Sequence, residues 1–138
     1  MSNRTLAIIK PDAFNTSKAG KVLALLEDQG FTLRAARVLQ LTPAQAGEFY
    51  AVHRGRSFFD DLVSFMTSAP CMPIVVDQVR AVSALRDAIG ATDPAEAAEG
   101  TVRKLYAESK GRNAIHASDS EENAAREIAF FFAATDLA

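Results

Sequence analysis

Residues 111–120 read Gly111-Arg112-Asn113-Ala114-Ile115-His116-Ala117-Ser118-Asp119-Ser120. Ile115 centres a short run of strand character. Ser118 and Ser120 follow it as alternative caps for a helix over roughly 120–131, whose Ile128, Phe131 and Phe132 face inward. Upstream, from 91 to 113, the periodicity thins. That stretch is rich in Ala, Glu, Gly, Thr and basic residues, with only a short helix begun by Asp93-Pro94. A weakly periodic segment of this length inside a compact domain is usually functional. The end of the chain therefore reads as long loop, short strand, helix.

Working outward, the same alternation recurs. Residues 4–9 are apolar and partly β-branched and stop at Lys10-Pro11-Asp12, a buried strand ending in a turn. Residues 19–29 place Val22, Leu25 and Leu26 on one helical face before Gly30. Residues 31–40 alternate loosely as a second strand. Thr42-Pro43-Ala44-Gln45 spells a capping box with proline in the first turn. Ser57 precedes a helix over 58–66, and residues 72–76 form a third strand. Val79, Val82, Leu85 and Ile89 recur at helical spacing before Gly90, and residues 133–138 read as a loose tail. Strands separated by helices predict an α/β sandwich with helices on one face of a small sheet, in one domain spanning 1–138. Periodicity leaves the strand order open.

Composition narrows the function. The chain has 138 residues, 49% of them hydrophobic and 23% charged, enough for one hydrophobic core. The formal charge of -2 lacks the basic excess of a dedicated nucleic-acid binder. Cys71 is the single cysteine, so neither an intrachain disulfide nor a zinc spacing exists, and it reads as a small buried apolar residue. A single thiol points to a reducing compartment. The apolar run before Lys10 is too short for a signal peptide, and no segment has the length to span a bilayer. The expectation is a cytoplasmic protein without a membrane partner.

Two histidines differ in setting. His53, in Ala51-Val52-His53-Arg54-Gly55-Arg56, reads as an exposed loop histidine. His116 ends a short strand beside a helix start, where one nitrogen can meet a ligand and a carboxylate can orient the other. Lys10, Arg86, Thr92, Arg103, Arg112 and Asn113 are phosphate-seeking residues in or beside weakly structured segments. Of Phe58 and Phe59, one is expected in the core and one exposed for stacking on a base. Glu127 either pairs on the surface or turns inward to hold His116. A glycine-rich phosphate loop, a dinucleotide fingerprint and the protein-kinase motif set are absent.

The stretch 111–120 resembles the active-site signature of nucleoside diphosphate kinases. The likeness extends to Thr5 through Asp12, Tyr50, Arg56-Ser57-Phe58-Phe59, Leu62, Ala91-Thr92-Asp93-Pro94, Gly100-Thr101-Val102-Arg103 and Glu121 through Phe132, nearly the whole chain. The resemblance implies a ferredoxin-like βαββαβ sandwich with a four-stranded antiparallel sheet and an inserted substrate loop near 91–113. It implies ping-pong transfer of the γ-phosphate from a nucleoside triphosphate to a diphosphate through a phosphohistidine at His116. Glu127 would orient His116, Ser118 would bond beside it, and Tyr50 would lie near both His116 and Lys10. Lys10 and Asn113 would contact the sugar hydroxyl or the moving phosphate. Arg86, Thr92 and Arg103 would hold phosphates, and Phe58 would stack on the base. Mg²⁺ would arrive on the nucleotide phosphates, with no metal held by the protein itself. Tetramers and hexamers both occur in the family, so a homo-oligomer is implied.

The chain departs from the family pattern at Ala117, where glycine is usual, and at Lys110, where an apolar residue is usual. Alanine at 117 is costly only where the backbone needs φ > 0. The competing readings are a nucleotide-sensing or regulatory module of the same fold, and an RNA-recognition domain. The strands at 4–9 and 72–76 lack the aromatic pair the latter requires.

Overall fold

The computed structural model describes residues 3–138. Its strands are β1 (Arg4–Ile9), β2 (Thr32–Ala36), β3 (Met72–Asp77) and β4 (Ile115–Ala117). Its α-helices are α1 (Pro11–Phe14), α2 (Ala19–Asp28), α3 (Pro43–Phe49), α4 (Phe59–Met66), α5 (Ala81–Ile89), α6 (Val102–Tyr106) and α7 (Glu121–Phe131). The sheet runs β2-β3-β1-β4, with every neighbouring pair antiparallel. With α2 and α5 as the crossing helices, this is the ferredoxin-like βαββαβ arrangement. Among the described residues, no helix is long and apolar enough to cross a membrane.

Helices cover both faces of the sheet, not one. Successive strand residues point to opposite faces. Ala7, Ile9, Ile74 and Val76 pack on α2 and α5, whereas Leu6, Ile8 and Val75 pack on the α3, α4 and α7 side. The unbroken apolar run of β1 records this double burial, since a one-sided strand would alternate. β1 and β3 are the inner strands, and the site grows from the end of β1.

β2 stops at Ala36 rather than running on to 40. Ala36 lies opposite Ile74, so the next partner is Pro73, which has no N–H to return. Arg37 still donates to the Pro73 carbonyl at 3.2 Å, and pairing resumes only as an isolated bridge between Leu39 and Cys71. α5 begins after Arg80, which sits at φ 54, leaving Val79 exposed before the helix. Ser57 does not cap α4; Phe58 occupies that position, without a side-chain cap. Thr42 and Gln45 form the expected capping box of α3.

The loop after α5 folds differently from its pattern. Asp93-Pro94 starts a turn in which Asp93 Oδ1 accepts from the Ala95 amide at 2.9 Å. The helix of this segment is α6, capped by Thr101. Gly90, at φ +89, lets the loop close on α5: a Cβ there would lie 2.5 Å from Thr101 Oγ1. Ser120, not Ser118, caps α7 by accepting from the Asn123 amide, worth about 1 kcal/mol. The tail is not loose. Leu137 packs on the α7 side of the core, and the Ala138 amide donates to the Arg34 carbonyl.

Candidate active site

Alternation along β4 sends Ile115 and Ala117 into the α2–α5 core, and so turns His116 to the other face, towards α7. On α7, Ala124, Glu127 and Phe131 form the buried stripe at helical spacing. Glu127 therefore faces inward although it is charged. Its Oε1 lies 2.7 Å from His116 Nε2 and accepts from Ser118 Oγ at 2.8 Å. Glu127 is only 5% exposed, and a buried carboxylate needs such partners. The contact puts the imidazole proton on Nε2 and keeps the lone pair on Nδ1. The ring is wedged edge-on by Phe49 and Tyr50, with centroids 5.5 Å and 6.2 Å away.

His116 opens into a cleft of about 300 Å³, which Glu127, Tyr50, Lys10, Arg86, Thr92 and Arg103 also line. Lys10 caps the end of β1, and its Nζ donates to Asn113 Oδ1 at 2.9 Å. Asn113 in turn donates to the Thr92 carbonyl, tying the loop to the cleft floor. Burial first, and then the Arg103 charge, lower the Lys10 ammonium to about 8, with Asp12 opposing them. Arg103 is lowered to about 10 by burial and then by Arg86. It donates to the Asn113, Gly90 and Ile115 carbonyls, which leaves two of its five N–H groups for a ligand. Arg86 donates to the Ala117 carbonyl at 3.3 Å. Burial drives the Tyr50 phenol far above its usual range, so it stays neutral; its hydroxyl has no partner among the described residues.

The structure separates residues that the sequence could not. Phe58 is 46% exposed and lies 5.3 Å from the ring of His53, which lines the cleft, whereas Phe59 packs on the core. Arg112 lies away from the cleft: it pairs with Glu108 at 2.7 Å and covers Phe65. His53 is not a plain loop histidine; it lines the cleft and stacks on Tyr50 at 6.3 Å. Asn123 and Arg126 of α7 also line it and were not anticipated. Asn123 stands four residues, one helical turn, before the inward Glu127, and Arg126 directly precedes it; that placement is the only signal in sequence. Ala117 lies in β4, paired with Ala7. Among the described residues, the positive-φ non-glycine residues are Ser17, Arg80 and Ala114, so alanine at 117 carries no such backbone strain. Lys110 is exposed in the loop before β4.

A cationic cleft built around a carboxylate-held histidine, on this fold, defines an enzyme of the phosphotransferase class. The nucleoside diphosphate kinase family model matches residues 3–137. A nucleoside diphosphate kinase of Chlorobium luteolum is 55% identical over 134 residues, covering 97% of this chain and 96% of the relative. One of Sorangium cellulosum is 53% identical over 135 residues, covering 98% and 94%. The solved nucleoside diphosphate kinase of Aquifex aeolicus matches with a TM-score of 0.97 at 42% identity over 100% of both chains. That of Halobacterium salinarum, in complex with CDP, matches at 0.94 and 36% identity over 100% of this chain and 92% of its own. The chain belongs to the nucleoside diphosphate kinase family. It is a nucleotide-binding kinase.

Proposed function

We propose that the chain, acting as one domain, moves the γ-phosphate of a nucleoside triphosphate to a nucleoside diphosphate in two half-reactions through His116. The observation that carries this reading is the 2.7 Å contact of Glu127 with His116 Nε2, which leaves Nδ1 as the nucleophile. In the first half-reaction the Nδ1 lone pair attacks the γ-phosphorus. The bond to the β–γ bridging oxygen breaks, and the diphosphate leaves with that electron pair. Positive charge grows on the imidazole and is balanced by Glu127, which Ser118 holds in place. In the second half-reaction a terminal oxygen of an incoming diphosphate attacks the same phosphorus. The P–N bond breaks, and Nδ1 regains its lone pair.

Lys10, Arg86 and Arg103 neutralise the phosphates, Thr92 and Asn113 add hydrogen bonds to phosphate or sugar, and Tyr50 buttresses the histidine ring. Phe58 offers a face on which any base can stack, which suits a broad range of nucleotides. The carboxylates at the cleft are Glu127, whose Oε1 is already engaged, and exposed Asp119. That donor set fits Mg²⁺ bound by phosphate and water oxygens, where it would screen charge between phosphates. Following the family resemblance, we also propose a cytoplasmic homo-oligomer.

Initial rates measured across both nucleotides test the two-step scheme. Parallel double-reciprocal lines are expected. Lines that converge to one point would instead require both nucleotides bound together, and would rule the scheme out.

A further inference from the structure

Ala114 holds a left-handed backbone at φ 73, fully buried, two residues before His116. The Ile115 amide donates to the Asn113 carbonyl at 2.8 Å across it, closing a three-residue turn of the strained, positive-φ kind. Alanine resists this conformation because of its Cβ, and no glycine relieves it. The turn persists only because its surroundings hold it. Asp12 Oδ2 accepts from the Ala114 amide at 2.9 Å. The Lys10 amide donates to the Ala114 carbonyl at 2.9 Å. Arg103 grips the carbonyls on either side of the turn. Asp12 is 5% exposed, and without it the Ala114 amide would be a buried donor with no acceptor.

We propose that Asp12 is a positioning residue for phosphoryl transfer: its carboxylate locks the strained turn at 113–115 and thereby sets Asn113 against Lys10 and aims His116 into the cleft. Relaxing Ala114 to negative φ rotates the peptide planes on both sides. On one side lies Asn113, whose side chain holds Lys10 Nζ. On the other lies β4, which carries His116. Displacement of either by about 1 Å is enough to cost about 10²-fold in rate. Asp12 is not among the residues lining the cleft; it borders a separate small cavity with Arg112 and Phe65. The inference rests on His116 as nucleophile.

The test is a double-mutant cycle read by single-turnover labelling of the protein from γ-labelled ATP with Mg²⁺. D12A should phosphorylate about 10²-fold more slowly, with ATP affinity within about threefold of the parent. A114G should stay near the parent, because glycine adopts the left-handed conformation freely. D12A in the A114G background should recover about tenfold or more of the loss, since the turn then needs less holding. A merely structural role predicts no such recovery. Should D12A fail to fold, D12N and D12N/A114G are read the same way; the amide keeps an acceptor but no charge, and a loss of about tenfold is expected. Transfer by D12A within about threefold of the parent, or an equal loss in both backgrounds, overturns the proposal. A parent protein that takes no label would sink the nucleophile reading instead.

Discussion

At the floor of the cleft, the polar groups around His116 hold one another, the Tyr50 hydroxyl excepted. Glu127 grips the imidazole, Ser118 grips Glu127, and Lys10 grips Asn113. At the rim, between Ala51 and Phe58, the contacts are ring on ring: His53 against Tyr50 on one side and Phe58 on the other. The floor holds its atoms through charge-assisted hydrogen bonds. The rim offers flat, adaptable surface. The proposed transfer would use that division: rigidity where the phosphorus would move, tolerance where a base would stack. The two arginines of the inserted loop repeat the contrast. Arg103 is buried and spends three donors on backbone carbonyls, while Arg112 pairs with Glu108 in solvent.

If that division is correct, substitutions should lose effect from floor to rim. His116→Ala should lower kcat by about 10⁴-fold or more, with its thermal midpoint close to the parent. A coupled assay alongside a melting curve measures both. Glu127→Gln comes next, at about 10²–10⁴-fold in kcat. The amide can donate to Nε2 and move the ring proton to Nδ1, which silences the attacking nitrogen. A Glu127→Gln enzyme near parental rate would break the claim that this carboxylate sets the tautomer.

Lys10 gives a prediction in pH. Its ammonium is charged below about 8, so free enzyme loses phosphate affinity as pH rises through that value. The profile of kcat/KM should fall on its alkaline side with a midpoint near 8, and Lys10→Met should remove that limb. Bound phosphate favours the charged form, so the limb for kcat should lie at higher pH. A kcat/KM profile flat to pH 10 would contradict this role. At the rim, Phe58→Ala should raise KM by about five- to tenfold with kcat little changed. Smallest of all, Arg112→Ala should leave kcat and KM within about twofold, since its partner Glu108 stands in solvent. An Arg112 effect as large as that of Lys10 would erase the distinction between the two loop arginines.

Much of this was legible in the sequence, for physical reasons that can be named. The strands and long helices follow from periodicity, and the β1 run carried a sign of two covered faces in its failure to alternate. The end of β2 depended on Pro73 in a neighbouring strand, which no local pattern reports. His116 and Glu127 were readable as a pair only through the family resemblance. Eleven residues of separation say nothing about a 2.7 Å contact until α7 is laid against β4. His53 reads as an exposed loop histidine in sequence because its ring partners, Tyr50 and Phe58, meet it only through the turn after α3. The strained turn at 113–115 is not legible there because alanine, unlike glycine, gives no hint of a left-handed backbone.

The most direct measurement mixes the protein with Mg²⁺ and γ-labelled ATP without an acceptor, then digests it and finds the label. Label on the peptide carrying His116, lost in acid, stable in base and chased onto added GDP, is the expected result. Transfer to GDP that proceeds while the protein never carries label, or label on a residue other than His116, would contradict it.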